Sequence, residues 1–124
     1  MTQARFSILA RLQSFTYAFN GIRTFLVKEH NAWIHLLATI TVVTAGIIFN
    51  IKQTEWISIS FAIGLVWVAE ILNTCIERSL DLISKERNPQ IKIIKDMAAG
   101  AVLVAALVSV VIGAIVFIPY LITQ

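Results

Sequence analysis

Residues 32–50, 56–76 and 97–118 are long apolar stretches whose only Asp, Glu, Lys or Arg is Glu70. As a helix, the first covers roughly 28 Å, close to the ~30 Å hydrocarbon core of a bilayer. Hydrocarbon cannot satisfy open backbone amides, so runs of this kind resolve into membrane-spanning helices. The whole chain agrees: 58% of its 124 residues are hydrophobic and its mean hydropathy is +0.83. That is more apolar surface than a soluble domain of this length can hide. An all-α integral membrane fold is expected, as one domain over 1–124.

The connecting segments complete the plan. Residues 4–29 place Ile8, Leu12, Phe15, Phe19, Ile22 and Leu26 at alternating spacings of four and three, one apolar stripe on an amphipathic helix. Such a helix either lies in the membrane interface or packs on its own bundle. It is polar enough that a cleavable signal peptide is not expected. Asn50–Glu55 reads as a short turn, and Asn88-Pro89 as a turn in the second loop. Pro119 is expected to help end the third span. With three spans, Arg5, Arg11, Arg23, Lys28, Arg78, Lys85, Arg87, Lys92 and Lys95 share one side and Lys52 stands alone on the other. This asymmetry predicts a cytoplasmic N-terminus and a cytoplasmic 78–96 loop. A net charge of +3 is better explained this way than by nucleic-acid binding.

Ionisable groups at membrane depth carry the functional signal. Glu70, Asn73, Glu77 and Asp81 fall within roughly 80° on one helix face. An acid at the depth of Glu70 costs about 2.5–3.5 kcal/mol on insertion scales unless paired or wet. It reads either as a base beside a lipid hydroxyl or as a partner for a neighbouring helix's cation. Glu77, Glu29 and Asp96 fall near the cytoplasmic interface, so four carboxylates from three segments are expected to converge there. Glu29 and Glu77 suit Mg²⁺ shared with phosphates, or are solvated helix-end acids. Lys95-Asp96, at the expected start of the third span, favours phosphate or supplies a cap. Asn73 is a ligand contact or interhelical glue, and the small face Ala98, Ala101, Ala105 allows close packing. His30 and His35 read as bonded packing residues or ligands, Cys75 as a small buried residue, and Trp67 as facing lipid or the bundle. Tyr17 and Arg23 are within reach of a cytoplasmic site. One cysteine excludes a disulfide framework and a CxxC metal motif. No P-loop, HRD-type loop or GxSxG elbow is present, so any phosphoryl transfer proceeds without a soluble kinase fold.

The string Glu70-Ile71-Leu72-Asn73-Thr74-Cys75-Ile76-Glu77, then Asp81, then Lys95-Asp96-Met97-Ala98-Ala99-Gly100-Ala101-Val102, resembles the bacterial integral-membrane diacylglycerol kinase and undecaprenol kinase family. Gly21-Ile22-Arg23 and Glu29 match as well, and the resemblance covers nearly the whole chain. It implies a homotrimer of three-span subunits with a surface helix, in the bacterial inner membrane, with active sites shared between subunits. It implies a kinase that uses ATP with Mg²⁺ to phosphorylate a lipid alcohol. By carry-over, Glu70 is the catalytic base and Glu29 and Glu77 bind the metal. Tyr17, Asn73, Lys95 and Asp96 contact the nucleotide. Glu29-His30-Asn31-Ala32-Trp33-Ile34-His35 is similar to the pattern of the undecaprenol branch. The alternative, from the residues alone, is a small transporter or proton-relay subunit using Glu70, or a membrane scaffold.

Overall fold

The computed structural model describes residues 5–123. It contains four helices: α1 (Ile8–Lys28), α2 (His30–Phe49), α3 (Gln53–Ile83) and α4 (Pro89–Ile122). By length and composition α2, α3 and α4 can each cross a membrane. Most of their large apolar side chains face outward, which water would penalise and lipid does not. The chain forms two compact units, Met1–Ile34 and His35–Gln124.

In the first unit α1 begins at Ser7, whose hydroxyl accepts from Ala10 N at 3.3 Å. Residues 5–7 are therefore not helical, and residue 4 of the expected 4–29 helix lies outside the described residues. The helix stops where Glu29 turns extended (φ −108°, ψ 122°), and helix resumes at His30. Apart from buried Phe25 and half-buried Leu26, the side chains of α1 are exposed.

The second unit is held by short, specific contacts. Asn50 adopts φ 51°, while Asn50 N and Ile51 N bond to Ile47 O and Gly46 O at 3.2 and 3.1 Å. This paired closure needs a left-handed residue, and Asn tolerates that conformation better than most. Glu55 Oε2 accepts from Lys52 N at 2.8 Å and from Tyr120 Oη at 2.5 Å, tying the start of α3 to the end of α4. Nearby, Ile51, Ile59 and Val116 form a buried cluster. Midway, Ser109 Oγ donates to Ala62 O at 3.0 Å. Of the small face, Ala98 and Ala105 are buried and Ala101 is exposed.

A Cβ at Gly46 would lie 2.6 Å from the Trp56 ring. Gly46→Ala is therefore expected to destabilise the protein by about 1–3 kcal/mol, because the indole must move out of a packed site. Thermal unfolding in detergent checks this, and an unchanged melting temperature would contradict it.

The helices overrun the expected spans 56–76 and 97–118. α3 has 31 residues and α4 has 34, roughly 46 and 51 Å, so both extend past a ~30 Å core. Hydropathy marks the part that suits lipid, whereas backbone hydrogen bonding continues beyond it. α4 starts at Asn88-Pro89, where Asn88 Oδ1 accepts from Gln90 N at 2.9 Å. Proline is at home at a first helical position because its missing N–H has no partner there. Lys95 and Asp96 thus lie inside the helix rather than at its start, and they offer no free helix-start amides. Pro119 does not end α4: it removes one hydrogen bond, and the last turn is held by Tyr120 stacking on Phe49 and by Thr123 N bonding to Pro119 O at 3.2 Å.

Candidate active site

Because α3 is unbroken from Gln53 to Ile83, the polar stripe lies on one continuous surface about 16 Å long. Its upper and lower ends bond to different helices. At the upper end Glu70 is buried, with 7% exposure. Its Oε1 lies 2.8 Å from His35 Nε2 on α2. Trp67 Nε1 donates to Thr39 Oγ1 at 2.8 Å, and Thr39 Oγ1 donates to His35 O at 2.7 Å. The indole meets the imidazole edge-on at 6.4 Å. Trp67 thus faces the bundle, and His35 is a bonded group in contact with the Glu70 carboxylate. Spacing could not reveal this contact, since it joins residues 35 apart in sequence.

One turn further on, Asn73 Nδ2 makes a long 3.4 Å bond to Glu77 Oε1. The buried Asn73 Oδ1 accepts no hydrogen bond among the described residues. At the lower end Lys95 Nζ pairs with Asp81 at 2.8 Å, and Lys92 Nζ pairs with Asp96 at 2.6 Å within α4. Lys85, Arg87, Lys92 and Lys95 line an open groove of about 750 Å³ at the α3–α4 connection, with Glu86 and Asp96 also on its wall. That is within the usual range for small-molecule sites. This segment carried no signal in the sequence beyond its clustered cations.

Among the described residues, no three His, Cys, Asp or Glu side chains gather as a metal-holding group. Glu70, Glu77 and Asp96 each bond to a neighbour of their own. Cys75 is exposed rather than buried. Tyr17 stands on α1 with 69% exposure, and half-buried Glu29 occupies the break between α1 and α2.

Three helices long and apolar enough to cross a bilayer, one of them carrying a buried carboxylate, mark a membrane protein with a polar group inside its helix packing. Residues 16–117 match the family model described as prokaryotic diacylglycerol kinase. The chain is 38% identical to the undecaprenol kinase of Bacillus subtilis over 109 residues, 88% of this chain and 89% of the relative. It is 33% identical to the diacylglycerol kinase of Synechocystis sp. over 113 residues, 90% of this chain and 65% of that relative. The chain belongs to the prokaryotic diacylglycerol kinase family, and it is a membrane lipid kinase.

Proposed function

We propose that this kinase transfers the γ-phosphate of ATP to undecaprenol at the cytoplasmic face of the bacterial inner membrane. In this reading it works as a homotrimer whose sites are shared between subunits, with α1 (Ile8–Lys28) as an amphipathic helix in the interface. The observation that carries the reading is the arrangement on α3: a buried Glu70 at one end and, at the other, the Asp81–Lys95 pair beside a basic groove. A lipid hydroxyl reaches the first from the bilayer and a nucleotide reaches the second from water. The Glu29–His35 pattern and the 38% identity to an undecaprenol kinase favour undecaprenol over diacylglycerol.

Glu70 takes the proton of the lipid hydroxyl as its oxygen attacks the γ-phosphorus in line. The bond from that phosphorus to the β-bridging oxygen breaks, and ADP leaves. Lys95 has three donors and spends one on Asp81, so it can also neutralise phosphate charge. Asn73, Asp96 and Tyr17 contact the nucleotide. Asn73 Oδ1, which has no partner among the described residues, and the Glu77 carboxylate bonded to the same side chain are hard oxygen donors, which suits Mg²⁺. Glu29 and Glu77 would hold the metal, which when bound offsets the charge of the phosphate oxygens. Positioning and charge stabilisation supply most of the rate.

The test is a radiolabelled-ATP assay of purified protein with undecaprenol and diacylglycerol in parallel. Labelled undecaprenyl phosphate is expected. Label in diacylglycerol alone would change the acceptor, and label in neither lipid would end the proposed reaction.

A further inference from the structure

Glu70 has two carboxylate oxygens, and the chain treats them differently. Oε1 is engaged by His35 Nε2 at 2.8 Å, whereas Oε2 makes no hydrogen bond among the described residues. With Glu70 ionised, the bond requires the proton on Nε2, so His35 is the donor. We infer that His35 is a positioning residue: it holds Oε1 so that Oε2 is the atom presented to the lipid hydroxyl. The inference rests on the reading of Glu70 as the base.

His35 is itself packed in place. Its backbone carbonyl accepts from Thr39 Oγ1 at 2.7 Å, and that hydroxyl accepts from Trp67 Nε1 at 2.8 Å. The indole meets the imidazole edge-on, with planes at 63°. Trp67 and Glu70 lie three residues apart on α3, so the same helix carries both the acid and the clamp on its partner. A cavity of about 120 Å³ beside His35, Thr39 and Trp67 is otherwise walled mainly by apolar side chains such as Ala38, Val42 and Ile59. Water competes poorly there, and a hydrogen bond to a charged group is stronger for it.

The proton balance is simple. The hydroxyl proton moves to Oε2, His35 keeps its own proton on Nε2 throughout, and the neutral acid releases its proton to water after the phospholipid leaves. His35 never touches the substrate and acts through Glu70 alone.

The experiment uses the full chain reconstituted in lipid vesicles with undecaprenol and MgATP. His35→Ala is expected to lower kcat roughly 10- to 100-fold, the scale of one charge-assisted hydrogen bond, with KM for ATP unchanged. His35→Gln keeps an N–H donor on a side chain of similar reach, and it should recover most of that loss. Wild-type kcat in His35→Ala would overturn the inference. So would a His35→Gln variant that folds normally yet is as slow as His35→Ala. Nitrogen-15 NMR of the imidazole supplies a readout independent of turnover: a protonated Nε2 whose signal moves in Glu70→Gln is expected, and an unmoved signal overturns the pairing even if His35→Ala fails to insert. If the wild-type protein labels no lipid, the kinase reading of Glu70 falls, while the NMR result still decides the His35–Glu70 bond.

Discussion

Glu70→Gln is expected to lower lipid phosphorylation by roughly 10²–10⁴-fold, the usual worth of a positioned general base. Gln has nearly the shape of Glu, and its amide oxygen still accepts from His35 Nε2–H, so the contact between α2 and α3 survives. What it lacks is an oxygen that can take up a proton. The loss should therefore appear in kcat, with melting temperature and KM for ATP near their wild-type values. A transporter or scaffold reading predicts no change in ATP consumption, because none would occur. Parallel kcat and thermal-unfolding measurements check this, and near-normal turnover in Glu70→Gln would remove it as the base.

Glu77→Gln is expected to fail differently. Glu77 is exposed on α3 and, among the described residues, its carboxylate receives only the long bond from Asn73, so neutralising it should cost little stability. As a proposed Mg²⁺ ligand it should matter for nucleotide use. Removing one of two carboxylates weakens a site that relies on charge and hard oxygen donors. We expect apparent KM for MgATP to rise on the order of tenfold or more, partly recovered by raising Mg²⁺. A Mg²⁺ titration of both proteins at fixed ATP checks this. A Glu77→Gln activity that no concentration of metal improves would argue against the metal role.

The contrast between these variants reflects how the stripe is divided. Helical periodicity places Glu70, Asn73, Glu77 and Asp81 on one face, and the unbroken α3 bears that out. Periodicity says nothing of what stands opposite. Glu70 meets α2, while Asp81 meets Lys95 of α4. Local signals misled where a long-range contact overrode them. Pro119 looked like a stop, but Tyr120 bonds to Glu55 and stacks on Phe49, and the last turn stays folded. Lys95-Asp96 looked like a helix start because lipid-compatible hydropathy begins there, whereas the hydrogen-bonded helix begins at Asn88-Pro89.

From the sequence by itself follow the three crossings, the connections between them, the isolation of Glu70 in an apolar run and the family. Each depends on local composition, helical period or a contiguous motif, and none needs to know which helix lies beside which. Only the tertiary structure decided that His35 bonds to Glu70 with Trp67 packed on the imidazole, that Gly46 yields to Trp56, and that the loop cations line one groove with Lys95. Those pairings depend on how side chains on separate helices and turns meet in space, which a linear pattern does not encode.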